Sequence, residues 1–169
     1  MKAMQTFIRD RRGMATVEFA LVAAPFLALL LAIIETGLIF FAQEVLQTAT
    51  SQAVRAIMTG QAQAQGLTTA QFQQNVCNNA APLLSCANMY VNAQTFNSFG
   101  GVTRLNPLQN GNLNPALLNY QMGGPGDIVM VQVFYQWPVI PGPLNLNLAN
   151  MSGNSNLLVA TVVFRNEPY

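Results

Sequence analysis

The sequence contains no histidine. That absence removes Ser-His nucleophilic pairs, imidazole acid–base chemistry and most zinc sites. Charge is scarce as well: Lys and Arg total 7 and Asp and Glu total 6, so 8% of the 169 residues are charged, against about 25% in an ordinary soluble domain. No basic patch exists to neutralise phosphates, which argues against a nucleic-acid partner. Beyond the apolar N-terminal run the only carboxylates are Glu44, Asp127 and Glu167, and their spacing gives no reason to expect a catalytic pair. The two cysteines, Cys77 and Cys86, cannot complete a tetrahedral metal set without histidine. Gly123-Gly124-Pro125-Gly126-Asp127 lacks the lysine and the following helix of a phosphate loop, so it reads as a turn into a strand. Neither a cofactor nor an enzymatic activity is expected.

What the chain has instead is apolar length. Phe19 to Ala42 forms one continuous run, about 36 Å as helix against a hydrocarbon core of about 30 Å. Glu35 interrupts it at a cost of about 3 kcal/mol at mid-membrane. Leu, Ile, Phe and Val each contribute about 0.3–0.6 kcal/mol in the other direction, and 14 of them lie between Phe19 and Phe41. Insertion therefore wins. Lys2, Arg9, Arg11 and Arg12 precede the run, offset only by Asp10, and just Arg55, Arg104 and Arg165 follow it. This bias keeps the N-terminal flank in the cytoplasm and sends the remainder outward. Membrane lipid is thus an expected partner, and the cytoplasmic membrane the expected location.

The helix is expected to continue past the membrane. Val45, Leu46, Ala49, Ala53, Ala56 and Ile57 recur at three- and four-residue steps and mark an apolar stripe. Gln43, Gln47, Ser51 and Gln52 occupy the other faces, and Gly60 is a stop signal. The domain plan is a leader at 1–13, a long helix at 14–60 (transmembrane 19–42, amphipathic 43–59, with Pro25 placed to kink it) and an extracytoplasmic domain at 61–169. Within that domain Gln61–Gly66 reads as a polar hinge, and Thr68 or Thr69 caps a short helix ending near Asn79. Alternation marks strands at 89–96, 128–137 and 157–164. The Asn/Gly/Pro-rich stretches 97–126 and 138–156 read as surface loops, with Leu144, Leu146 and Leu148 a candidate edge strand. The fold class is α+β: a long N-terminal helix packed on a small three-stranded antiparallel sheet, with one short extra helix and long loops. In an oxidising compartment Cys77 and Cys86 are expected to pair as a disulfide; two free structural thiols are the alternative.

The chemistry resides at Arg11-Arg12-Gly13-Met14-Ala15-Thr16-Val17-Glu18-Phe19: a basic leader, a glycine, four uncharged residues, then Glu-Phe opening the apolar helix. This resembles a type IV prepilin processing site, cut between Gly13 and Met14 by a membrane-bound prepilin peptidase. A residue without a side chain admits a protease to the backbone. Glu18 lies one step inside the hydrocarbon boundary, where a carboxylate needs a partner. A new amine on Met14 of a neighbouring subunit would supply one and set the axial register between subunits, with Phe19 beside it. The alternative is an interfacial Glu18 reaching the headgroups. A Sec-type signal peptide fits poorly, because the run is too long and no small-residue exit follows it.

Two blocks resemble the TadE family of pilin-like proteins from tight-adherence (Tad/Flp) pilus systems. One runs from Arg11 through Ile33-Ile34-Glu35-Thr36-Gly37 to Arg55 and Gly60; the other is the ending Ala160–Tyr169. The resemblance implies a minor pilin-like subunit involved in pilus biogenesis and surface adhesion. Its implied partners are the prepilin peptidase, the major pilin, other minor pilin-like subunits and the inner-membrane assembly platform. Phe19 departs mildly from major pilins of these systems, which often carry Tyr there. From the residues alone, an uncleaved single-pass membrane protein whose outer domain binds a partner or surface ligand remains the alternative.

Overall fold

A computed structural model describes residues 13–140 and 148–168 of the chain. The leader before Gly13, and Leu144 and Leu146 of the suggested edge strand, lie outside the described residues. Helix α1 spans Met14–Ala53 and remains helical through Pro25. At Val54 the helix assignment lapses, and a further turn, α2 (Arg55–Met58), carries the path on. Gly60 then adopts a left-handed φ of 77°, the conformation glycine takes without steric cost. The stop at Gly60 is thus where sequence placed it. The polar stretch after it is not merely a hinge: Gln61–Ala64 forms one more helical turn, α3. Helix α4, Thr69–Ala80, starts at Thr68 with a full capping box, the Thr68 hydroxyl accepting from the Gln71 N–H while the Gln71 side chain accepts from the Thr68 N–H.

Three long strands follow: β1 (Met89–Phe96), β4 (Ile128–Pro138) and β5 (Ser155–Arg165), with a two-residue hairpin, β2 (Leu108–Gln109) and β3 (Asn112–Leu113), between the first two. The sheet order is β1-β4-β5, antiparallel throughout, with Val91 opposite Val133 and Val133 opposite Ala160. Alternation directs Val91, Ala93, Val129, Val131, Val133, Leu158 and Ala160 to one face, and all are buried. That face is covered by two helices. Leu46, Ala49, Ala53 and Ile57 of the α1–α2 stripe are buried, Val45 and Ala56 flank them half-buried, and Phe72 and Val76 of α4 complete the layer.

The opposite face of the sheet is not left to water. Met130, Gln132 and Phe134 are also buried, because the stretch expected as a surface loop folds over them. Gln132 Oε1 accepts from the Leu105 N–H at 3.1 Å and from Asn92 Nδ2 at 3.3 Å, and Asn92 Oδ1 accepts from the Asn119 N–H at 2.9 Å. Two fully buried amides are thereby satisfied, as buried polar groups must be. The Ala93 N–H donates to the Asn119 carbonyl and the Gln121 N–H to the Ala93 carbonyl, so this segment also pairs with the outer edge of β1. The β2–β3 hairpin turns at Asn110 and Gly111, both with positive φ (51° and 74°), the Asn-Gly pair that a tight hairpin turn requires.

Edge strand β5 is closed by the helix. Gln43 Nε2 donates to the Val159 carbonyl at 2.9 Å; Gln47 Nε2 donates to the Thr161 carbonyl at 3.4 Å, and Gln47 Oε1 accepts from the Thr161 N–H at 3.3 Å. Gln43 and Gln47 therefore do not populate a free face, as their polarity suggests. One helical turn apart, they occupy backbone positions that a fourth strand would otherwise take. At the far end the Glu167 N–H donates to the Met58 carbonyl at 2.9 Å, and buried Asn166 donates to the carbonyls of Met122 and Gly124. The glycine-rich stretch before β4 is the turn its sequence implied: Gly123 has a φ of 68°, and a Cβ there would press on Asp127, Thr95 and Val129.

Candidate processing and assembly site

Gly13 is the N-cap of α1, with φ −94° and ψ −3° and no side-chain capping bond. A Cβ built on it meets nothing within 4 Å. Neither its backbone conformation nor packing among the described residues therefore demands glycine at this position. Met14, Glu18 and Phe19 follow on the first two turns, all exposed. Glu18 lies four residues after Met14, hence on the same helix face and about 6 Å further along the axis. The helix holds all four residues within two turns at its free end, away from the sheet domain. Apolar side chains continue along the exposed surface, including Leu21, Phe26, Leu31 and Ile33.

The segment Met14–Met58 is long and apolar enough to cross a membrane, with only 6% of its most apolar window buried inside the molecule. A soluble core helix would bury that surface; this one offers it to another apolar phase. Glu35 ties the helix to the sheet domain, its Oε1 accepting from the Ile140 N–H at 2.9 Å. Ala42 is fully buried beneath the domain.

Cys77 and Cys86 are joined in a disulfide with their Cα atoms 5.5 Å apart. The bond ties the last turn of α4 to the short 3-10 turn Cys86–Asn88 that leads directly into β1. Gln73 reinforces the link by donating to the Cys86 carbonyl at 3.1 Å. Among the described residues no group of three or more His, Cys, Asp or Glu side chains is placed to hold a metal ion.

Sequence reasoning left four contributors unassigned. Glu35 gave only an insertion penalty, yet it holds a backbone N–H of the sheet domain. Gln43 and Gln47 gave only polarity, though their spacing by one helical turn marked them as able to act together on one partner. Gln63 donates to the carbonyls of Ile57, Met122 and Gly123, and with Asn166 it forms the polar seam where the helix ends.

A helix of membrane-spanning length leading into an α+β domain defines a molecule that fits a single-pass membrane protein. The family model described as TadE-like protein matches residues 13–55, so the N-terminal block is TadE-like from its N-cap glycine to the arginine that opens α2. No curated protein and no solved structure matches the chain.

Proposed function

We propose that this protein is a minor pilin-like subunit of a Tad/Flp-type pilus, cut between Gly13 and Met14 by a prepilin peptidase and then packed into the fibre through its exposed helix. The observation that carries the reading is Gly13. It is a glycine that the fold does not need, at the mouth of a bare apolar helix, where the TadE-like match begins. A glycine with no structural cause among the described residues fits recognition by a protease. The exposed helix surface supports the second half of the reading, since side-by-side packing of such helices gives it a partner once it leaves lipid. Glu18 would then accept the Met14 amine of a neighbour, so that only processed chains assemble in register. The remaining partners on this reading are the major pilin, companion minor subunits and the assembly platform in the inner membrane. The role is structural and adhesive.

The test is the N-terminus of the protein recovered from cells with active peptidase. Mass spectrometry should find a chain that begins at Met14. Replacing Gly13 with a bulky residue should leave a precursor about 1.5 kDa heavier, the weight of thirteen residues. Wild-type protein that retains residues 1–13 would overturn processing and leave an uncleaved single-pass protein, whose sheet domain binds its partner at the membrane.

A further inference from the structure

We infer that the end of β4 rests in the lipid headgroup layer, with Ile140 inserted into the membrane surface and Glu35 marking the outer edge of the hydrocarbon. The inference rests on the reading of α1 as a membrane span. Four observations carry it. Ile140 is 75% exposed, the most exposed large apolar side chain among the described residues, and it stands on the rim of the sheet domain bonded to the helix. Its N–H is bonded to Glu35, which fixes that rim at one height on α1. Val139 beside it is buried and donates its own N–H to the Asn154 carbonyl, so the rim is part of the folded sheet domain. Finally, Ala42 is sealed beneath the domain, so at that level the helix is covered by protein on one side.

Length agrees. Met14 to Ile34 measures about 31 Å as helix, close to the roughly 30 Å hydrocarbon thickness. Placing the outer edge at Glu35 rather than at Ala42 sets Met14 at the inner edge. Leu38, Phe40 and Phe41, all exposed, then stand within one to two turns above the edge, in the interfacial layer. Glu35 leaves the hydrocarbon, which removes the insertion objection. Its carboxylate satisfies an amide that would otherwise meet a poorly hydrated layer. The lipid surface is the occupant that continuity with the span selects, because the Ile140–Glu35 bond ties the rim directly to the spanning helix.

Depth-dependent quenching tests this on the full chain in vesicles of phosphatidylcholine and phosphatidylglycerol. Trp137 is the single tryptophan, so a Trp137→Phe background accepts one reporter at a time: Ile140→Trp at the rim, Phe26→Trp in the span and Phe99→Trp at the opposite pole of the sheet. Lipids brominated high on the acyl chain should quench the rim reporter at least twofold more than the polar one, and deep bromines should quench the span reporter. A rim reporter no better quenched than the one at 99, with the span reporter quenched, overturns this inference and leaves the spanning helix standing. An unquenched span reporter overturns both. Hydrogen exchange of the Ile140 amide reads the latch without the background change. Glu35→Ala should speed it about tenfold, while Glu35→Gln, which keeps an acceptor, should hold it within about threefold. Equal exchange in Glu35→Ala and the parent would overturn the assignment of Glu35.

Discussion

Removing the amide of Gln47 separates two explanations of why α1 holds β5. The side chain makes two bonds to one residue, accepting from the Thr161 N–H and donating to the Thr161 carbonyl, at 3.3 and 3.4 Å. Both are long, so each is assigned the lower part of the 0.5–1.5 kcal/mol range for a net hydrogen bond. Gln47→Ala therefore costs about 1–2 kcal/mol, and the Gln43→Ala/Gln47→Ala double variant, which also releases the Val159 carbonyl, about 2–3 kcal/mol. For a domain of this size 1 kcal/mol moves the melting temperature by about 4 °C, so the single variant should melt about 4–8 °C lower. Hydrogen exchange identifies the cause. The Thr161 amide should exchange about tenfold faster in Gln47→Ala, while the Val133 amide in the sheet centre changes only by the global loss of stability. Gln47→Leu supplies apolar bulk without the amide and should behave like the alanine variant. If Gln47→Leu restores wild-type melting and Thr161 protection, packing rather than edge bonding holds the strand, and the reasoning fails. An opened edge also offers unpaired backbone to other chains, so the double variant should associate through β5 at high concentration.

The remaining predictions concern the disulfide, the register residue and a buried phenol. Closing the ten-residue loop between Cys77 and Cys86 restricts the unfolded chain by about 2.7 kcal/mol; Cys77→Ser and Cys86→Ser should lower the steady-state protein level equally, with no further loss in the double variant on immunoblots. Glu18→Ala should be inserted and cut normally but fail to enter pili, and Glu18→Asp should rescue partly; normal incorporation in sheared fibres would leave Glu18 as an interfacial residue only. Tyr120 packs against Phe72 at 6.0 Å between ring centres, its hydroxyl has no hydrogen-bond partner among the described residues, and burial pushes its pKa up to about 12. An unfolded tyrosine ionises near 10, so this contribution is fully present below pH 10 and is lost as pH rises from 10 to 12. The unfolding free energy from urea titrations should fall across that window by at most about 2 kcal/mol, and Tyr120→Phe should flatten the fall.

The helix, the stripe and the three long strands were legible because each repeats a simple period over many residues. Leu46, Ala49, Ala53 and Ile57 recur at helical steps and are the residues α1 and α2 bury. Val129, Val131 and Val133 recur at strand steps and face them. The cysteine pair was legible from compartment and spacing, and a threonine cap at 68 or 69 from its hydroxyl; the capping box with Gln71 decides for Thr68. What resisted reading was the destination of neutral polar side chains. A glutamine facing water and a glutamine bonded to a strand edge look alike in sequence, which is why Gln43 and Gln47 read as solvated. Asn92 and Gln132 sit mid-strand with the pattern of a wet face, and only the fold of 97–126 makes that face dry. That stretch reads as loop because its strands are two residues long, too short to show alternation, although Asn110-Gly111 already carried the turn. Glu35 has a partner 105 residues away in sequence, beyond any local pattern.

The contacts along β5 have a mechanical consequence. Gln43 meets Val159, Gln47 meets Thr161, and Met58 meets Glu167, so helix and strand run in the same direction. The overlap is about 22 Å on the helix and about 26 Å on the strand. This is a lap joint. A pull along the helix axis loads its bonds together in shear instead of opening them one after another, and the Glu167–Met58 bond closes the end from which peeling would begin. Shortening the chain by its last few residues would convert shear into peeling, and single-molecule extension would register that as separation at lower force.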